Sequence, residues 1–528
     1  MNVARILQLT AGERGPAPAL IDVRKGRDRV LDFRGLERST AKLGARIQAS
    51  GISPGDGVLI LHPMAIELYV FLIALFRIGA VGVFLDPSAG RSHIERCCEL
   101  YPLKAFFGSP KAHLLRLSIP ALRRIPLAFC PRWFPGTQRV TLDATGPEES
   151  GIVPVEGSRP ALITFTSGST GQPKAAARSH GFLAAQHRAL AASLGLSAGG
   201  TDLTTLPIFV LANLASGVTS VLPDADMRAP GKIDARPVLA QISRHRVKTL
   251  GASPALVARL VAECSRAGRT VAELEHIFMG GAPVFPGDLR QARKAFPRAE
   301  ITAVYGSTEA EPMAEVSLSA ISDGDFLAME RGGGLLAGAP VPSLSLQVVE
   351  EQWGTPIARL DLAEFNAMCL PIDEVGEIVV SGEHVLPGYL YGAGDSETKF
   401  DVGAARWHRT GDLGRFDRSG RLWLLGRAAA KIHDARGILY PFAVECAAQQ
   451  ISGVSRAALM QVGGRRVLAV ESSRAGAHAD LLRNLAWAEL DEIRVLRSIP
   501  MDKRHNAKVD YGALAGILAG SRTRLPGR

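Results

Sequence analysis

Cysteine is scarce in this chain and carries no pattern. Cys97, Cys98, Cys130, Cys264, Cys369 and Cys446 form no CxxC pair and no Cys/His spacing of a metal site, so reduced thiols in a cytoplasmic protein are expected. Low-complexity tracts and repeats of solenoid period are missing, which excludes a disordered or solenoid chain. The N-terminal "MNVARILQLTAGERG" lacks the apolar core and cleavage site of a signal peptide. No basic tract is interleaved with aromatic residues, so no nucleic-acid partner is expected. The net charge of +10 (61 − 51), of which residues 428–528 hold +6 (15 − 9), supports at most a weak attraction to an anionic membrane surface.

The longest apolar run, "YVFLIALFRIGAVGVFL" (69–85), is interrupted by Arg77 and Gly79. It reads as a buried helix, a glycine turn and a strand ending at "DPSAG", not as a membrane span. The 528 residues are too many for one core. From about residue 30 to residue 310, apolar β-rich runs alternate with helical patterns, which predicts an α/β fold with mainly parallel sheet. "GDGVLIL" (55–61), "ALITF" (161–165), "VKTLGAS" (247–253), "EHIFMGG" (275–281) and "EITAVYG" (300–306) read as strands. Residues 181–196 and 254–268 read as helices. Beyond residue 340 the strands shorten and glycine breaks them, as in "SLQVVE", "GEIVVSG" and "RLWLLGR". A large domain over 1–427 and a small α+β domain over 428–528 are expected.

What the chain does hold is "ITFTSGSTGQPK" (163–174), a strand running into hydroxyls, glycines and a lysine. Backbone N–H groups on such a loop suit phosphate. It is not the GxxxxGK[ST] loop of kinases, because Gly168 to Gly171 is too short and Lys174 follows proline. Three later segments belong with it: "VYGSTE" (304–309), "RTGDLGRFDRSGRLWLLGR" (409–427) and "PMDKRHNAKVD" (500–510). In this order and spacing the set resembles the adenylate-forming superfamily of acyl-CoA synthetases, peptide-synthetase adenylation domains and luciferases.

That resemblance implies a large domain of parallel sheets flanked by helices with a small β-barrel-like part, and a mobile C-terminal lid. It implies ATP and Mg²⁺ as cofactors and a carboxylate substrate. Thr166, Ser167, Gly168, Ser169, Thr170, Gly171 and Lys174 would hold the β- and γ-phosphates, Lys174 as a mobile charge. Gly280, Gly281, Ala282 and Pro283 would wall the adenine and the acyl carbonyl, and Tyr305 would stack on the base. In the turn of Gly306, Ser307 and Thr308, the threonine would reach the α-phosphate, and Glu309 would ligate Mg²⁺. Asp412 would accept both ribose hydroxyls with Arg427 in support, while His408 is expected to be structural. Lys508 would bridge the incoming carboxylate and the phosphate at the transition state. Lys503, Arg504 and His505 are nearby, but only Lys508 matches the family's lysine; the usual "SGK" is "NAK" here.

Thioester-forming members carry Asp or Lys two residues after the arginine of the "GR" motif, where this chain has Ala429, which offers no polar contact to a rotating lid. Residues 215–230, 250–260, 435–440 and 502–508 are similar to one branch, the β-lactone synthetases of bacterial long-chain olefin biosynthesis. That branch makes a β-lactone from a β-hydroxy acid and ATP without coenzyme A. Fatty acyl-CoA ligase, fatty acyl-AMP ligase and a non-catalytic nucleotide-binding relative are the alternatives. Phe209 in "LPIFVLANL" (206–214) is either core packing or a wall of the acyl pocket. A fatty or β-hydroxy fatty acid and other enzymes of its pathway are the expected partners.

Overall fold

The computed structural model describes residues 1–142, 150–167, 173–474, 476–501 and 508–520, with backbone alone at 166, 167 and 520. The apolar run folds as read. Helix Ile66–Arg77 is buried along its whole length, Gly79 turns the chain at φ +73°, and strand Val81–Phe84 follows. Arg77 is tolerated inside because Glu37 accepts from its Nη1 at 2.6 Å and the carbonyl of Ser150 from its Nη2 at 2.9 Å.

Two large sheets organise the chain. One runs in the spatial order Gln138–Arg139, Leu127–Cys130, Leu103–Gly108, Gly57–Leu61, Val81–Phe84, Pro160–Ser167 and Pro173–Ser179, parallel except for its last pair. The other has six parallel neighbours: Pro18–Arg24, Thr219–Val221, Thr201–Thr204, Thr249–Ala252, His276–Met279 and Glu300–Tyr305. It continues into antiparallel strands that include Leu335–Pro340, Gly376–Ser381, Ala405–Phe416 and Leu422–Arg427. Helices cover the parallel strands because their residues are apolar on both faces. Helix His180–Ser193 starts where the Ser179 hydroxyl accepts from the amide of Phe182 (3.1 Å), and Pro254–Arg266 starts in the same way at Ser253.

Residues 432–518 build cores of their own. Strands Val454–Val462, Arg465–Ser472 and Glu492–Leu496 pack against helices Pro441–Gln449, Ala477–Asn484 and Tyr511–Gly520 around Val444, Leu459, Leu468 and Leu514.

One polar cluster lies inside the large sheet. Asp202 is buried, its Oδ2 accepts from Asn213 Nδ2 at 2.6 Å, and its Oδ1 has no partner among the described residues. Burial pushes this carboxyl up to about 7, against the lowering effect of the Asn213 bond. Its folded pKa therefore exceeds the unfolded value of about 3.9. The stabilisation is complete below that unfolded value and is lost as pH rises through the folded one. Asp202→Asn should remove this loss. Between about pH 5 and pH 8 its urea midpoint should fall less than that of the wild type, so that the variant gains on the wild type as pH rises. Parallel midpoints for the two proteins across that range would refute the assignment.

Candidate active site

Adjacent parallel strands bring two of the motifs together. His276–Met279 runs into residues 280–283 and Glu300–Tyr305 into residues 306–309, so both turns leave the same sheet edge at the strands' carboxyl ends. Gly280 lies close to its neighbour: a Cβ there would sit 3.1 Å from the carbonyl oxygen of Val304. Gly281, at φ +79°, has open space where its Cβ would be, as a turn facing a ligand requires. Ser307 Oγ accepts from the amides of Glu309 (3.2 Å) and Ala310 (3.3 Å), which closes the turn.

The second sheet reaches the same place. Arg178, on Pro173–Ser179, donates to the carbonyl of Thr308 at 2.9 Å. Ala176 on that strand pairs with Tyr389, whose hydroxyl donates to Glu309 Oε1 at 2.7 Å. The backbone carbonyl of Glu309 also accepts from the amide of Leu386 at 2.6 Å. Burial opposes the charge of Glu309, while the Tyr389 hydroxyl and the Lys399 ammonium favour it. The carboxyl is held below the usual range. A half-buried, ionised carboxylate whose second oxygen has no hydrogen-bond partner among the described residues suits a hard cation whose other ligands are phosphate and water.

Tyr389 and Lys399 are functional candidates that the sequence did not disclose. The ammonium groups of Lys174 and Lys399 lie 5.6 and 5.7 Å from the centroid of the Tyr389 ring. Burial pushes Lys399 down to about 8, although Glu309 and Asp395 act the other way, and its Nζ donates to the carbonyl of Leu386. "LPGYLYG" and "ETKF" lie outside the motifs quoted above, and only the tertiary fold brings them to Glu309. His408 is buried, its Nδ1 lies 3.2 Å from the carbonyl of Thr398, and burial pushes it down to about 3. It is neutral packing beside the site.

Lys174 is buried, not a surface or freely moving cation, and its Nζ donates to Glu397 at 2.9 Å. Thr166 and Ser167 end the strand that leads to the loop; Gly168, Ser169, Thr170 and Gly171 lie outside the described residues. Asp412 and Arg427 are direct cross-strand partners, joined by Nε to Oδ1 at 3.1 Å. The other oxygen, Oδ2, accepts the Tyr305 hydroxyl at 2.7 Å, which ties Tyr305 to the carboxylate. With two of about four lone-pair positions taken, Asp412 can still accept from a diol.

Lys508 is exposed and near enough to Glu311 for its charge to act on that carboxyl, which burial pushes up to about 7 against Arg178 and Lys508. Glu311 is two residues from Glu309, so the C-terminal lysine stands at the same turn. Lys503, Arg504 and His505 lie outside the described residues. Phe209 is buried with Leu190, Leu194, Ala212, Phe278 and Val304, an apolar cluster that starts at the strands bearing the two turns.

A family model described as AMP-binding enzyme matches residues 7–390. The chain belongs to the AMP-binding enzyme family. An olefin β-lactone synthetase of Stenotrophomonas maltophilia (strain K279a) is 32% identical over 513 residues, covering 92% of this chain and 91% of that protein. One from Xanthomonas campestris pv. campestris is 31% identical over 518 residues, with the same coverage. Amide bond synthetase McbA from Marinactinospora thermotolerans shares the fold at a TM-score of 0.79 and 21% identity, over 98% of this chain and 99% of that one. The anthranilate CoA ligase AuaEII, solved with anthranoyl-AMP, does so at 0.80 and 17%, over 99% and 98%. This AMP-binding enzyme is an adenylate-forming ligase of α/β fold, and its family uses ATP.

If Glu309 holds the cation, Glu309→Gln should abolish the Mg²⁺ dependence of ATP binding measured by calorimetry. Tyr389→Phe, which removes only the supporting hydroxyl, should weaken Mg²⁺ affinity about 10- to 100-fold. Unchanged Mg²⁺ titrations in both variants would remove Glu309 from the metal site.

Proposed function

We propose that this enzyme adenylates a long-chain β-hydroxy carboxylate and closes it to a β-lactone, releasing pyrophosphate and AMP. The observation that carries the first step is the meeting of Glu309, Asp412–Arg427 and Lys508 around the turns 280–283 and 306–309. Asp412 and Arg427 seat the ribose, the loop 166–174 takes the β- and γ-phosphates, and Tyr305 with residues 280–283 borders the base. Bound Mg²⁺ would neutralise phosphate charge at Glu309. A carboxylate oxygen attacks the α-phosphorus, the bond to pyrophosphate breaks, and Lys508 offsets the repulsion between the two anions. Residues 428–528 act as the lid that delivers this lysine.

Lactone closure rests on three observations. The cluster around Phe209 is apolar and suits a fatty chain. The residue at the expected pivot, Ala429, is exposed and has no polar side chain. The two relatives named as olefin β-lactone synthetases match over nearly the whole chain. Once the carboxyl is an adenylate, the substrate's own hydroxyl oxygen attacks the carbonyl carbon. The carbonyl–O bond to AMP breaks and the hydroxyl proton leaves to solvent. Tethering gives this nucleophile a high effective concentration, which compensates for the strained ring, and a dry pocket protects the adenylate from water. Six free cysteines fit a reducing cytoplasm, and the enzymes that supply the acid and consume the lactone are the expected partners.

Mass spectrometry of products from a racemic β-hydroxy fatty acid, with and without coenzyme A, tests this reading. The expected product is the acid less one water, unaffected by coenzyme A, while the chain lacking the hydroxyl stops at the adenylate. Thioester from both acids would make the enzyme an acyl-CoA ligase.

A further inference from the structure

A strongly basic stretch of the chain lies in the seven-stranded sheet, at the edge opposite Pro173–Ser179. Between Glu99 and Asp143 there are seven Lys and Arg and no Asp or Glu. The fold gathers this segment at one edge of the seven-stranded sheet, on Leu103–Gly108, Leu127–Cys130 and Gln138–Arg139 with the helix Pro110–Ser118. On that helix His113 points inward: its Nε2 lies 3.0 Å from the carbonyl of Phe129, and its ring stacks on Phe134 at 5.1 Å. Arg116 also turns in, donating to the carbonyl of Ile125 at 2.9 Å. The opposite stripe, Lys111, Leu114 and Leu117, faces out.

The exposed residues of this segment are both apolar and cationic. Leu114 is 60% exposed, Leu117 54% and Trp133, beside the stacked Phe134, 78%. Arg123, Arg124, Arg132 and Arg139 are exposed and form no ion pair among the described residues. Lys104 pairs with Asp56, and Lys111 acts on Asp226. Guanidinium groups without an ion-pair partner among the described residues fit lipid phosphates, an exposed indole fits the headgroup layer, and leucines on a short helix can enter the acyl boundary. A nucleic acid would instead favour several rings placed to stack on bases.

We infer that this face, formed by the helix Pro110–Ser118 and the turn around Trp133, docks on an anionic lipid bilayer. This inference is independent of the substrate assigned above, and it exceeds the diffuse attraction expected from total charge.

Cosedimentation of the full chain with vesicles tests it. Binding should occur with phosphatidylcholine mixed with phosphatidylglycerol, not with phosphatidylcholine alone, and should fall as salt rises. Arg123→Ala and Arg124→Ala should each weaken it about fivefold. Trp133→Ala and Leu114→Ser should weaken it further, with unchanged melting temperature and unchanged turnover of a water-soluble acid. Failure to bind phosphatidylglycerol vesicles would overturn the inference. So would binding that Trp133→Ala and Leu114→Ser leave intact, since that surface would be a general polyanion site such as an acidic protein or nucleic acid could occupy.

Discussion

A carboxylate kept charged in a half-buried setting is the constraint around which this site is built. Glu309 is half-buried, and an unpaired charge there would be costly. Its environment eases the conflict with one hydroxyl, from Tyr389, and the Lys399 ammonium set over the same ring. The consequence reaches both sheets, since Tyr389 pairs with the strand that follows the phosphate loop while Glu309 ends a strand of the other sheet. Loosening either side would misplace the other.

The Asp412–Arg427 end of the site is fixed by a comparable device. Arg409 and Glu377 form an ion pair with no exposed side-chain surface, and Arg409 also donates to the carbonyl of Thr355 at 2.7 Å. Removing one partner of such a pair typically costs about 3–5 kcal/mol, because the other is left charged in the interior. The pair clamps Gly376–Ser381 to Ala405–Phe416, the strand that carries Asp412 three residues on. The register then opposes Asp412 to Arg427 without further help.

Much of this was legible in the sequence. Continuous apolar runs marked the parallel strands, and the ordered motifs marked Glu309, Asp412 and Arg427, because local hydrogen bonding and strand register determine their positions. What was illegible depends on contacts between distant segments. Tyr389 and Lys399 meet Glu309 across about 80 and 90 positions of chain, and nothing in their own neighbourhoods encodes that meeting. Lys174 read as mobile because its partner Glu397 lies 223 residues away. The cationic face escaped notice for a different reason: total charge averages over a chain, whereas a surface gathers it.

Acid-dependent exchange of labelled pyrophosphate into ATP addresses the adenylation step directly, since it reports reversal of that step whatever the acyl group does next. With Mg²⁺ and a long-chain β-hydroxy acid, or the same chain without its hydroxyl, the enzyme should catalyse exchange. Lys508→Ala should lose it by on the order of 10²–10³ while still binding ATP. An absence of exchange with every carboxylic acid in a broad panel, or full exchange in Lys508→Ala, would contradict the chemistry assigned to this site.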